Sequence, residues 1–337
     1  MNMAEVLKSL LANHHLTEKQ SYQVFQSLME GTVSPVQAAA FLALLCAKGE
    51  QPSEIVGAAR LLREKALKIT IPSSLIVDTC GTGGDGSRSF NISTAAAIAL
   101  SGCGLTVAKH GNRAVSSQCG SADVLEALGY PLQASPEKTA EVLTRFGFAF
   151  LFAPVYHQAM KNVAAVRKEL GLRTIFNILG PLCNPAGANV QIMGVGDYHL
   201  LRIIPRVFQK LGIRGYVFCG EDGLDEITLT GKTFLVEVRR DRVMETEVYP
   251  QSFGLKRCRR EDLKGSQAVE NALLIKEILT GRQRGPCRDI VCANAAAVLR
   301  ACGRVKSFPE GVAQVSQVLD KGIAWTKFQK VLEFLAS

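Results

Sequence analysis

An α/β fold, with a small α-helical domain beside a larger α/β domain on a mostly parallel central sheet, is predicted by three features of this sequence. The first seventy or so residues carry helical spacing and no strand signal. After Pro72 short apolar runs of strand length alternate with helix-like segments. A length of 337 residues exceeds what one ordinary core organises and suits two domains.

The helical part shows apolar residues at Val6, Leu7, Leu10 and Leu11, at Val24, Phe25 and Leu28, and at Ala40, Phe41, Leu44 and Leu45. Its breaks fall at 14–17, 31–35 and 49–52, where Pro35 and Pro52 open helices because proline is tolerated in a first turn. Strands are expected at 75–79, 105–108, 148–152, 190–195, 216–219 and 234–238. Amphipathic segments near 136–146, 199–210 and 267–279 stand between several of them, so the sheet is mostly parallel and flanked by helices. The stretch NVAAVRKELGLRTIFNILGPLCNP, about 162–185, interrupts the alternation and is expected to return to the helical domain. Final helices over 289–299 and 309–335 have apolar faces that can cover the sheet.

With 47% hydrophobic and 20% charged residues the chain is expected to fold throughout. No apolar run reaches membrane-spanning length, and the start MNMAEVLKSLLANHHLTEKQ lacks the pattern of a secretory signal, so a cytoplasmic setting is expected. Ten scattered cysteines without a CxxC pair read as reduced packing residues. The formal charge of +9 suits phosphate-bearing substrates or a solvated basic surface. Its densest cluster, Lys256, Arg257, Arg259 and Arg260, runs into Glu261 and Asp262, which weakens a nucleic-acid reading.

Chemistry concentrates in three clusters. The first, VDTCGTGGDGSRSFNIST at 77–94, leads from a strand end through glycines into a helix starting near Ser93. Glycines allow positive φ and close backbone approach, while free amides at a helix start favour phosphate oxygens. No lysine follows the glycines, so it is not a GxxxxGK[ST] loop, and the spacing is not GxGxxG. The second, KHGNRAVSS at 109–117 with GSAD at 120–123, follows the next strand. Ligands bind at strand carboxyl ends in such sheets, so both clusters can face one crevice, with Lys109 and Arg113 as phosphate partners. His110 either takes part or is a satisfied polar residue. The third, EDGLDEI at 221–227, offers adjacent carboxylates of the kind that share magnesium with substrate phosphates.

These motifs, with GSADVLEALG, AVRKELGLRTIFNILGPLCNP, LKGSQAVENA and DIVCANAAAVL, resemble the anthranilate phosphoribosyltransferase family over nearly the whole chain. That family belongs to a fold family shared with the pyrimidine nucleoside phosphorylases. The resemblance implies a helical domain over 1–72 joined by about 162–187, an α/β domain over 73–161 and 188–337, a homodimer formed largely through the helical domain, and a place in tryptophan biosynthesis. By motif position it implies a phosphoribosyl diphosphate site at Gly81, Gly84, Asp85, Ser89, Asn91, Ile92, Ser93, Thr94, Lys109, His110, Gly111, Asn112, Arg113, Ala114, Val115, Ser116, Ser117 and Ser121. It implies Mg2+, two ions, on Ser93, Asp225 and Glu226, and anthranilate contacts at Gly81, Asn112 and Arg167, with Arg173 able to share the last role.

The chain departs from the family pattern at Ser89, where threonine is usual, at Gln118-Cys119, at Gln158 and Ala164-Ala165, and at Ser266. The implied reaction is displacement at the anomeric ribose carbon, with no general base because an aniline nitrogen is neutral. Two rivals remain. A nucleoside phosphorylase of the same fold is disfavoured by the intact carboxylate pair and KHGNR. A nucleic-acid-binding relative is disfavoured by the same intact motifs.

Overall fold

A computed structural model describes residues 2–84, 86–114 and 118–337. Four helices come first: α1 (Met3–Leu11), α2 (Glu18–Met29), α3 (Pro35–Lys48) and α4 (Pro52–Lys65). Their starts follow local chemistry. Asn2 and Ser34 accept from backbone amides, Thr17 and Gln20 form a capping box, and Pro35 and Pro52 occupy the first turn. Buried Glu54 clasps the domain's turn, accepting from Leu16 N, Gln51 N and Lys48 Nζ.

The sheet runs in the order β3-β2-β1-β4-β5-β6-β7, with β1 (Val77–Gly81), β2 (Val107–Gly111), β3 (Phe148–Phe152), β4 (Val190–Gly194), β5 (Arg214–Gly220), β6 (Thr233–Val238) and β7 (Val243–Val248). Strands β1 to β5 are parallel and β6 and β7 add antiparallel edges. Strand order reverses between β1 and β4, which creates a crevice above their carboxyl ends. β7 escapes sequence reading because VMETE is exposed and carries no apolar alternation.

Helices cover both sheet faces. One face packs on α5 (Ile92–Gly102), α6 (Ser121–Ala127), α7 (Pro136–Phe146), and, after α8 (Ala153–Tyr156), on elements later in the chain. On the other face Cys80, Met193, Val217 and Val236 join a core with the first four helices, α9 (Lys161–Leu170), α10 (Phe176–Leu182) and α11 (Ile204–Leu211). The segment 162–182 thus packs with the amino-terminal helices through Val163, Val166, Phe176 and Leu179. The chain ends with α12 (Ala268–Leu279), α13 (Pro286–Ala301), α14 (Phe308–Asp320) and α15 (Ile323–Ala336), all on the α5 side. The expected helical reach over 309–335 is divided into two helices because Gly322 adopts φ +64, a conformation in which the helix cannot continue. Among the described residues no helix is long and apolar enough to cross a membrane.

Candidate active site

Strand β1 ends at Gly81 and delivers its loop to the reversal point of the sheet. Thr82 N donates to Gly194 O, and Gly196 N donates to Thr82 Oγ1 at 3.3 Å, so the loop is tied to the end of β4. Gly83 and Gly84 have φ of +65 and +68, backbone that a side chain would strain. Past them, Ser89 pairs in an antiparallel bridge with Lys264, Gly265 N donates to Arg88 O, and the chain enters α5 at Ile92. The predicted Asp85 lies outside the described residues, as do Val115, Ser116 and Ser117.

The acid loop meets this cradle. Asp225 Oδ2 accepts from Gly83 N at 2.8 Å, and Glu226 Oε1 accepts from Ser93 N at 3.0 Å. Glu226 therefore supplies the carboxylate at the start of α5 that its own cap residue, Asn91, does not provide. The preceding acids do other work. Asp222 accepts from Thr228 and Thr230 hydroxyls, and Glu221 from Lys232 N. Buried Asn294 of α13 holds the loop from beneath, accepting from Ile227 N and donating to Ile227 O and Ile290 O.

Lys109, on β2 and 2% exposed, reaches across to β1: its Nζ donates to Thr79 O at 2.6 Å and to Ser93 Oγ at 3.3 Å. Burial lowers its pKa, against the opposing pull of Asp78 and the Asp225 and Glu226 carboxylates. His110 Nδ1 donates to Gly180 O of α10 at 3.1 Å, and its ring lies 5.0 Å from that of His157. Burial and the second imidazole push the His110 pKa down to about 3, and burial pushes that of His157 to about 4, so both rings are neutral. Neither Nε2 has a partner among the described residues.

Arg113, expected to meet phosphate, forms ion pairs with Asp123 and Glu126 at 2.9 and 2.8 Å. Asp123 also accepts from Ala114 N and Gly120 N, so one carboxylate holds both of these residues. A Cβ at Gly111 would strike Ser121 Oγ, and Asn112 O accepts from Ser121 Oγ and Ala122 N, which sets that loop on the start of α6. Asn91 donates to Cys119 O and accepts from Asn271, which in turn holds Ser266. Ile92 is core, and buried Thr94 Oγ1 has no partner among the described residues.

Two arginines arrive from the helical side. The Arg167 guanidinium of α9 lies over the Phe176 ring at 4.9 Å, and among the described residues no carboxylate pairs with it. Arg173 Nη1 donates to Gly83 O at 2.8 Å and packs where a Cβ of Gly84 would lie. The sequence motifs thus converge on one crevice, and two arginines that sequence alone left interchangeable are separated. Arg173 is bonded to the glycine loop, whereas Arg167 has no acidic partner among the described residues.

The donor chemistry fits magnesium. Asp225, Glu226 and Ser93 supply hard oxygens beside two anion cradles, and among the described residues no group of three His, Cys, Asp or Glu forms a closed cage. Such a set suits a cation that completes its shell with water and phosphate. Sequence reasoning gave no role to Asn294 or His157, whose partners lie far along the chain.

Residues 4–66 match the model of a glycosyl transferase family helical bundle domain, and residues 73–325 that of a glycosyl transferase family a/b domain. Anthranilate phosphoribosyltransferase of Brevibacillus brevis is 47% identical over 326 residues, covering 96% of this chain and 95% of the relative. The crystal structure of anthranilate phosphoribosyltransferase from Thermus thermophilus superposes with a TM-score of 0.94 at 44% identity, covering 98% of this chain and 99% of that one. The Saccharomyces cerevisiae anthranilate phosphoribosyltransferase in complex with PRPP and Mg gives a TM-score of 0.90 at 27% identity, covering 99% and 98%.

Proposed function

This chain belongs to the anthranilate phosphoribosyltransferase family, and we infer that it works in the crevice above β1, β2 and β4. It transfers the phosphoribosyl group of phosphoribosyl diphosphate to the amine of anthranilate, giving N-(5-phosphoribosyl)anthranilate and diphosphate, in tryptophan biosynthesis. The observation that carries the site reading is the seating of Asp225 and Glu226 on the amides of Gly83 and Ser93, which joins the acid loop to both ends of the glycine cradle.

In this reading the donor lies along the 81–94 loop and the KHGNR loop. Lys109 is a fixed, buried cation for its phosphates. Arg113 exchanges its carboxylate partners for phosphate when the donor arrives. Magnesium, supported by the yeast relative's complex, would be held by Asp225, Glu226 and Ser93, in two ions, and would supply positive charge to offset that of the leaving diphosphate. Arg167 takes the anthranilate carboxylate through its forked donors, beside Asn112 and Gly81. No residue needs to remove a proton before attack, because the aromatic amine carries its lone pair at neutral pH. Catalysis then comes from positioning and from charge stabilisation in a site that excludes water.

The division proposed is a helical unit, 1–72 with 162–187, which carries Arg167, and an α/β unit, 73–161 with 188–337, which carries the donor loops together with Gly81 and Asn112. A homodimer through the helical unit and a cytoplasmic setting complete the reading, the latter supported by ten cysteines that are all free thiols. Purified protein with phosphoribosyl diphosphate, magnesium and anthranilate should show loss of anthranilate fluorescence that a chelator abolishes. Loss that persists in chelator would sink the magnesium part, and no loss from folded protein would sink the acceptor.

A further inference from the structure

Strands β1 and β2 are parallel neighbours, yet they keep a single register pair, Val77 with Val107, whereas β1 pairs with β4 and β2 with β3 over all five residues. Beyond Val77 the ladder pairing between them is interrupted. Side chains pair several of the backbone groups along this edge, since a buried amide or carbonyl without a partner is costly. Thr79 N and His110 N donate to Asp78 Oδ1 at 2.8 and 3.3 Å. Ala108 O accepts from Asn184 Nδ2 at 2.7 Å, and Thr79 O accepts from Lys109 Nζ at 2.6 Å. Asn184 Nδ2 also donates to Asp78 Oδ2 at 2.8 Å, and its Oδ1 accepts from Ala186 N.

We propose that Asp78 and Asn184 are positioning residues that hold β1 and β2 apart at their carboxyl ends and thereby seat the Lys109 ammonium at the phosphoribosyl diphosphate cradle. The inference rests on the reading of the two loops given above. Asp78 is fully buried and Asn184 nearly so, and every polar atom of the Asn184 amide is satisfied within the wedge. A fully satisfied buried network fixes one geometry. Zipped as ordinary parallel strands, β1 and β2 would satisfy Thr79 O by a ladder bond and leave no opening for Lys109 to rise toward Ser93. The two strands also lead into the loops assigned above to phosphoribosyl diphosphate. Asn184 stands where the chain passes from α10 to β4, beside Pro185, whose carbonyl accepts from Ile69 N of the α4–β1 connection. The wedge is thus anchored at the crossing between the helical and sheet layers.

The test compares Asn184→Ser, Asn184→Ala and Asp78→Asn with the unmodified chain, measuring kcat, both KM values, magnesium-supported binding of phosphoribosyl diphosphate by calorimetry, and the folded fraction. Losing a hydrogen bond to a buried charged group predicts KM for phosphoribosyl diphosphate raised about tenfold or more, with KM for anthranilate within about threefold. Asn184→Ser, which keeps one donor, should fall between Asn184→Ala and the unmodified chain, and it decides the matter where Asp78→Asn does not fold. Unchanged KM values with kcat reduced only in step with the folded fraction would overturn the proposal, and so would equal increases in both KM values. Failure of the unmodified chain to bind phosphoribosyl diphosphate would instead overturn the reading of the loops, and the wedge's role with it.

Discussion

Asp225 lies across the end of β4, so that a Cβ on Gly194 would fall on the Asp225 carbonyl, and its side chain fills the space a Cβ on Gly81 would need. Two glycines on neighbouring strands thus let the acid loop lie directly on the reversal point of the sheet. Gly194→Ala forces the Asp225 backbone outward and carries the carboxylate pair with it. A displacement near 1 Å in a positioning site predicts kcat/KM lower by about 100-fold. Steady-state rates at saturating magnesium check this, alongside thermal unfolding to show that the sheet still forms.

Asp225→Asn and Glu226→Gln keep an oxygen acceptor for Gly83 N and Ser93 N while removing negative charge. The loop and the start of α5 should therefore hold, and the metal contribution should be lost. Turnover is expected to drop about a hundredfold to a thousandfold for the double variant, with the magnesium concentration for half-maximal rate raised. A magnesium profile that superposes on the original would remove these residues from the metal site.

The clusters at 77–94, 109–117 and 221–227 were legible because each is a local pattern whose chemistry is written in adjacent residues. The wedge was not. Asn184 lies 106 positions from Asp78, and nothing in LCNPAGAN marks its amide as the partner of two strands. Asn294 escaped for the same reason: one amide acts through the backbone of Ile227, which only the fold brings near. The separation of Arg167 from Arg173 needed the path of the chain after Gly171, where φ is +59 and α9 ends. The ion pairs of Arg113 were likewise not legible, since Asp123 and Glu126 sit on the next helix.

Arg167 and Arg173 should fail in different substrates. Arg167→Lys keeps the charge but loses the forked donors that match a carboxylate and the guanidinium that lies over the Phe176 ring. KM for anthranilate should rise about tenfold or more, with KM for phosphoribosyl diphosphate little changed. Arg173→Ala releases Gly83 O and loosens the glycine loop, so the opposite split is expected. Full kinetics on both substrates for each variant check the assignment, and the same substrate affected by both would contradict it.

The neutral pair His110 and His157 gives stability a defined dependence on acid. Both rings have pKa values lowered on folding, to about 3 and about 4, chiefly by burial. The folded state therefore refuses protons that the unfolded chain accepts below its ordinary histidine value, so the stability is fully present above about pH 6.5 and is lost as pH falls toward 4. For His110, which is 7% exposed, the loss runs at about 1.4 kcal/mol per pH unit between roughly pH 5.5 and 4.5, with His157 adding to it. His110→Asn should flatten this limb, because an amide of similar reach can donate to Gly180 O without titrating. Urea unfolding at pH 7.5, 5.5 and 4.5 measures the slope in both proteins. Parallel slopes would mean that the acid sensitivity belongs to other groups, and that the imidazole at 110 is protonated or exposed in solution.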